Sequence, residues 1–120
     1  MDRNTLISKA SDQPSVDVFP GVSRMTMSYN EQTMLCVMTF AAGATVPMHN
    51  HDAAQNGLVL DGAVEFTTIR NGKELRFVLR SGDGYLFPSN QTHGAQAIEK
   101  STVVECFTPM RPEYVDEMAP

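Results

Sequence analysis

Closely spaced turn signals divide the chain into short runs in which apolar and polar residues alternate. Two dipeptides typical of tight hairpins, Asp61-Gly62 and Asn71-Gly72, each stand between two such runs. Residues 22–29 alternate with a period of two, which is the period of a strand and not that of a helix. The pattern predicts roughly nine or ten short strands and no convincing helix, which is typical of an all-β barrel or jelly roll. An immunoglobulin-type sandwich is disfavoured, because the chain has no Trp for the Cys–Trp–Cys pattern of that fold.

Composition excludes several classes of function. The chain has 120 residues, which suits one domain with a sizeable core. Its formal net charge is -5 and it has no long basic run, which argues against nucleic acid as a partner. No apolar stretch approaches the length of a membrane span, and the N-terminal residues lack an apolar leader, so we expect a cytoplasmic protein that does not bind a membrane. Cys36 and Cys106 each lie in an apolar run and are expected to be buried free thiols.

Three parts are predicted along the chain. Residues 1–14 are polar apart from Leu6 and Ile7, and are interpreted as an N-terminal arm that is either loose or a strand exchanged with a partner subunit. Residues 15–111 form the β domain, and residues 112–120 form a C-terminal tail rich in proline and acidic residues. Within the domain, residues 33–40 are apolar on both faces, which predicts a strand covered on both sides. Together with the arm, this strand suggests a homodimer.

The stretch 43–62 holds the main chemical signal of the sequence. It contains His49 and His51, and in a strand this spacing directs both imidazoles toward one point. Gln55 follows, and His93 lies far downstream in a second segment framed by Gly and Pro. Three neutral imidazoles and one oxygen suit Ni, Zn, Fe, Mn or Co, so the sequence predicts a site for one divalent transition metal. The alternative is that the histidines are half-buried polar residues and Gln55 is an ordinary strand residue.

A neutral amide at position 55 has two consequences for such a site. The metal keeps its full positive charge, so it should polarise a bound water or substrate oxygen more strongly than a site with a carboxylate ligand. The amide NH2 group of Gln55 must also find a hydrogen-bond acceptor if it is buried.

These residues resemble the two motifs of the cupin family. The first motif, G-x5-H-x-H-x3,4-E-x6-G, is matched at five positions: Gly43, His49, His51, Gln55 (in place of Glu) and Gly62. The second motif, G-x5-P-x-G-x2-H-x3-N, is matched at Gly82, Pro88 and His93, with Asn90 and Ala97 at the two remaining positions. The resemblance implies a small RmlC-like cupin: a jelly-roll β-barrel that holds one metal ion in its interior.

A narrower resemblance links the chain to KdgF-like cupins, which promote the linearisation of 4,5-unsaturated uronates in carbohydrate metabolism. Those cupins use three His and one Gln, and have a Q-x-G-x-V-L-x-G segment like residues 55–62. Their last strand carries V-x-D-x-F-x-P-x-R-x-x-Y, and residues 105–114 match the part from D to Y, with Glu105 in place of Asp. The resemblance implies that Glu105, Phe107 and Arg111 line the pocket.

Each of these residues receives an expected role. Glu105 is expected to move a proton, and Arg111 to take part in catalysis and to bind a substrate carboxylate. Phe107 and Phe40 are expected to contact the substrate. Two alternatives stay open: Glu105 as one half of a salt bridge to Arg24, Arg76 or Arg80, and Arg111 as a solvated residue of the tail.

Three functions fit this interpretation of the sequence. The first is metal-dependent ring opening or isomerisation of a small carbonyl or uronate-like sugar, which would make the protein an isomerase- or lyase-type enzyme. The second is a mononuclear metal dioxygenase, since the same ligands permit oxygen chemistry. The third is a non-catalytic cupin that binds a small molecule.

Overall fold

The computed structural model describes residues 6–116, and the expectations for residues 1–5 and 117–120 lie outside it. The described part contains ten strands: β1 (Ser15–Phe19), β2 (Val22–Tyr29), β3 (Met34–Phe40), β4 (Thr45–His49), β5 (Ala54–Asp61), β6 (Ala63–Arg70), β7 (Lys73–Arg80), β8 (Gly84–Phe87), β9 (His93–Ala97) and β10 (Ser101–Thr108). Two short 3₁₀ turns, Ala10–Asp12 and Pro112–Tyr114, complete it. The all-β prediction is confirmed. Across residues 6–116, no helix has the length and apolar character needed to span a membrane.

The strands form two antiparallel sheets that pack as a jelly roll. The larger sheet has the order β1-β2-β3-β10-β5-β8, and the smaller has the order β4-β9-β6-β7. The core lies between the sheets, where Phe40, Val59, Val64, Phe66 and Val103 are buried. Because strands distant in sequence become neighbours, residues from β4, β5, β9 and β10 can converge on one interior point.

The two predicted hairpin turns behave differently. Asn71-Gly72 joins β6 to β7 in a hairpin with Arg70 opposite Lys73, and both turn residues have positive φ, 53° and 72°. Asp61-Gly62 does not form a hairpin, because β5 and β6 belong to different sheets. Gly62, with φ 98°, lies against the backbone of Lys100, and a Cβ there would fall 2.5 Å from the Lys100 carbonyl oxygen. This turn therefore carries the chain from one sheet to the other.

The inward face of β2 is polar at two positions. Arg24 and Thr26 are buried, whereas Met25 and Met27 are only half-buried on the outer face. On β3, Met34 to Phe40 alternate between buried residues and half-buried ones such as Leu35 and Val37. The expectation that this strand is covered on both faces is therefore not met within the single chain. Cys36 is a buried free thiol, as expected, whereas Cys106 is free but only half-buried.

Candidate metal centre

The three histidines come from different parts of the fold. His49 ends β4 and His93 begins β9, where the two residues are paired in register across the smaller sheet. His51 lies in the loop after β4, so the predicted shared strand face of His49 and His51 is wrong. The rings nevertheless converge, with centroids 5.4 Å apart for His49 and His51 and 4.4 Å apart for His49 and His93. One ligand atom from each histidine lies within 4.8 Å of those of the other two.

All three imidazoles are held in the same way by the backbone. Nδ1 lies 2.8 Å from the Pro47 carbonyl oxygen in His49, 2.7 Å from that of Ala53 in His51, and 2.7 Å from that of Gln91 in His93. A carbonyl oxygen can only accept, so Nδ1 carries the hydrogen in each ring and Nε2 keeps its lone pair. Backbone partners of this kind orient histidine ligands at metal sites.

Gln55 projects from β5 into the same space with its carboxamide oxygen foremost. Its Oε1 lies 3.1 Å from Nε2 of His51 and 3.2 Å from Nε2 of His93. Both of these nitrogens are lone-pair acceptors in the tautomer that the backbone selects, and so is the amide oxygen. Lone pairs that face one another without a hydrogen between them are stabilised by a cation. The residues therefore fit a metal ion with three nitrogen ligands and one oxygen ligand.

Burial favours the neutral form of two of these histidines. It lowers the pKa of His93 to about 4 and is the largest cause of that shift. Burial also lowers the pKa of His51, and the positive charge of Arg111 acts in the same direction. Both imidazoles are therefore neutral at pH 7, which is the form that binds a metal.

The amide nitrogen of Gln55 finds the acceptor that its burial requires. Nε2 donates to the Tyr85 hydroxyl at 3.0 Å, and this hydroxyl donates to Oε1 of Glu105 at 2.8 Å. Tyr85 belongs to neither sequence motif and was not predicted as a site residue. The signal available was its place beside Phe87 in a strand with inward alternation, together with Gly57, whose missing side chain leaves room for the hydroxyl.

Glu105 lies inside the barrel on β10 and is buried. Burial raises the pKa of its carboxyl to about 7, although the hydrogen bond from Tyr85 and the charge of Arg111 act to lower it. None of the three suggested salt-bridge partners contacts it within residues 6–116. In that part of the chain Arg24 pairs with Asp116 and Arg76 with Glu74, while Arg80 forms no ion pair. Glu105 is thus a carboxyl group that changes its protonation state near neutral pH.

Arg111 lies over two aromatic rings, with its guanidinium carbon 4.2 Å from the centre of Tyr114 and 5.3 Å from that of Phe107. Its Nε donates to Glu113 at 2.8 Å. Phe107 is fully buried, and its ring meets that of His51 at a centroid distance of 5.9 Å. Most of the predicted site residues share the wall of one pocket: Phe40, His49, Gln55, His93, Glu105 and Arg111. His51 and Phe107 are not part of that wall, and their rings lie against each other.

A larger groove of about 450 Å³ lies elsewhere, between the edge strands β7 and β8. Apolar side chains such as Phe77 and Leu86 form most of it, and Arg70 is the only charged residue among those described along its wall. Because the titratable and metal-ligating groups converge in the smaller pocket, the smaller pocket is the candidate site.

Known proteins share the sequence pattern and the fold of this chain. Residues 36–108 match the family model described as a cupin domain. The pectin degradation protein KdgF of Dickeya dadantii (strain 3937) is 25% identical over 105 residues, which span 87% of this chain and 93% of that protein. The structure of KdgF from Halomonas sp. is 29% identical, with a TM-score of 0.81 over 93% of this chain and 100% of that one. An RmlC-like cupin from Shewanella frigidimarina NCIMB 400 superposes with a TM-score of 0.86 over 96% and 100% of the two chains, at 24% identity.

Proposed function

The chain belongs to the cupin domain family, and on that basis we propose that it is a metal-dependent cupin acting on a small uronate-like sugar. The proposed ligands of a single divalent transition metal are His49, His51, Gln55 and His93. One observation carries this proposal: the lone pairs of the amide oxygen and of the histidine Nε2 atoms face one another at 3.1 and 3.2 Å. Nickel, zinc, iron, manganese and cobalt all suit this set of ligands.

The substrate class is proposed from the similarity to two proteins named KdgF and from the charges in the pocket. One of those relatives is named as a pectin degradation protein, and pectin is a polymer of uronates. A uronate carries a carboxylate, and Arg111 supplies a cation at the pocket wall. Ring opening of a 4,5-unsaturated uronate is therefore the proposed reaction.

The proposed reaction requires the movement of a proton. Such a sugar is a cyclic enol ether with a hemiacetal hydroxyl. Opening the ring breaks the bond from the ring oxygen to the hemiacetal carbon and removes the proton of the hemiacetal hydroxyl. A proton is then delivered to the carbon of the double bond that does not bear the ring oxygen. With a pKa of about 7, Glu105 can both accept and return a proton at neutral pH. The metal would supply Lewis-acid polarisation of a substrate oxygen.

The test begins with elemental analysis of the purified protein beside His51→Ala, with Arg76→Ala as a surface control. We expect the wild type and the control to hold one metal ion per chain and His51→Ala to hold at least about tenfold less. An unchanged metal content in His51→Ala would remove the central claim.

Activity is then tested by incubating the metal-loaded protein with unsaturated uronates. We expect the ring form to disappear faster than its spontaneous rate, and Glu105→Gln to slow that loss about a hundredfold. Oxygen uptake would instead support a dioxygenase, and binding without turnover would support a non-catalytic binding protein.

A further inference from the structure

Tyr85 connects the proposed metal ligand Gln55 to the buried carboxylate of Glu105. Its hydroxyl is the only hydrogen-bond partner that residues 6–116 offer to the amide nitrogen of Gln55, and it also contacts Oε1 of Glu105. The side chain has space for this position because Gly57, opposite Tyr85 in β5, has no Cβ. A Cβ there would lie 2.7 Å from the hydroxyl oxygen.

The Tyr85 hydroxyl accepts from the Gln55 amide and donates to Glu105, so its two partners have different roles. A hydroxyl has only one hydrogen, and in Tyr85 that hydrogen is used in the bond to Oε1 of Glu105. The hydroxyl then has only lone pairs left for residue 55, which must bring a donor. An amide meets this demand by turning its NH2 group toward Tyr85, which leaves its oxygen facing His51 and His93.

We propose that Tyr85 is a positioning residue that sets the orientation of the Gln55 amide, so that the oxygen and not the NH2 group faces the metal. This inference rests on the proposed function, since it concerns the ligands of the proposed metal. It also explains why an amide suits position 55 in this chain: a carboxylate there would compete with Glu105 for one hydroxyl hydrogen.

Metal affinity measured with Co²⁺ alone tests the inference, and Tyr85→Phe is the variant. Phe66 and Phe87 surround the Tyr85 ring at centroid distances of 4.5 and 5.0 Å, so the phenyl group retains its packing. Without the hydroxyl, the amide loses its preferred orientation, and we expect the dissociation constant for Co²⁺ to rise about tenfold. The visible absorption of bound Co²⁺ should change as well, because the oxygen ligand is lost from part of the population. Tyr29→Phe is the control, because the Tyr29 hydroxyl forms no hydrogen bond to the proposed ligands within residues 6–116, and it should leave both measurements unchanged.

A second background separates orientation from a general structural role. The two oxygens of a carboxylate are equivalent, so Gln55→Glu has no wrong orientation. In that background we expect Tyr85→Phe to change the dissociation constant for Co²⁺ by less than about twofold.

Three outcomes distinguish the possibilities. An equal loss of affinity in the wild-type and Gln55→Glu backgrounds would assign Tyr85 a general structural role and overturn the inference. Unchanged affinity of Tyr85→Phe in the wild-type background would also overturn it, while leaving the proposed metal site intact. Failure of the wild type to bind Co²⁺ would overturn the proposed function and the inference together.

Discussion

Glu105 illustrates how a single residue can make the stability of the fold depend on pH. Its carboxyl has a pKa of about 7 in the folded protein, against 4.5 for an ordinary glutamate, mainly because of burial. A raised pKa means that folding favours the protonated form. The contribution of Glu105 to stability is therefore fully present below pH 4.5 and is lost as the pH rises through 7. His93 acts with the opposite sign, because its pKa is lowered to about 4, and stability is lost as the pH falls from 6.5 toward that value.

Glu105→Gln is expected to isolate the contribution of this carboxyl. The contribution of His93 is the same in both proteins and cancels in the difference between their free energies of unfolding. From pH 4.5 to pH 8, the metal-free variant should gain stability relative to the wild type by an amount on the order of 3 kcal/mol. Urea unfolding after treatment with a chelator measures this difference. Glu99→Gln controls for the loss of a surface carboxylate, and a pH-independent difference for Glu105→Gln would contradict the assignment.

At the scale of the elements, the segment after β10 folds back and fastens the larger sheet. Arg24 of β2 is only 3% exposed and forms an ion pair with Asp116, and its guanidinium carbon lies 4.4 Å from the centre of the Tyr114 ring. The Thr26 hydroxyl donates to the Tyr114 carbonyl at 2.8 Å. Because Arg111 also lies against Tyr114, these contacts help to place a pocket residue as well as to close the barrel.

Removal of one partner of this buried pair should be more harmful than replacement of both. Asp116→Ala leaves the Arg24 charge buried without its counter-ion, and we expect it to lower the free energy of unfolding by about 3 kcal/mol. The double variant Arg24→Met, Asp116→Leu removes both charges, so its free energy of unfolding should fall clearly less. Urea unfolding at one pH compares the two. Equal losses for the single and the double variant would show that an unpaired Arg24 charge has no added cost, which would contradict the prediction.

Local patterns predict some of these elements, and distant contacts decide the rest. The strand at residues 22–29 and the turn at Asn71-Gly72 follow from residues adjacent in sequence, so both could be predicted. A turn dipeptide reverses the chain but does not determine which strand pairs with which. The change of sheet at Asp61-Gly62 could therefore not be predicted. Arg24 faces inward, where it pairs with Asp116. This partner lies 92 residues away in sequence, so the local alternation of β2 could not predict the orientation.

Some residues of the candidate site could be predicted from the sequence and others could not. The spacing of the histidines and Gln55 indicated a cluster, because metal ligands impose a motif on the sequence. The convergence arises differently from the expected shared strand face, since the loop after β4 turns His51 toward the others. Tyr85 left no such motif, because one hydroxyl between Gln55 and Glu105 requires only a tyrosine on the neighbouring strand and a glycine opposite. The roles assigned to Glu105, Phe107, Arg111 and Phe40 stay predictions.

At the scale of the whole molecule, two apolar surfaces of the part described, residues 6–116, could meet a partner subunit. One is the outer face of β2 and β3, where Met25 lies directly opposite Val37 and both are half-buried. The other is the groove between β7 and β8, in which Phe77 and Leu86 are more than half exposed. The outer face of a sheet can pack against the same face of a second copy about a two-fold axis. A concave groove lacks this self-complementarity. The homodimer that the sequence predicts is therefore expected to form through β2 and β3.

One charge introduced on each surface tests this expectation. Val37→Asp would place a carboxylate at the centre of a face-to-face contact, where burial without a partner is costly, so we expect the dimer to dissociate into monomers. Leu86→Asp is the matched control on the groove, and we expect it to remain a dimer. Sedimentation velocity at micromolar concentration distinguishes the two states. Dissociation by Leu86→Asp alone would place the contact at the groove, and a wild type that sediments only as a monomer would remove the homodimer prediction.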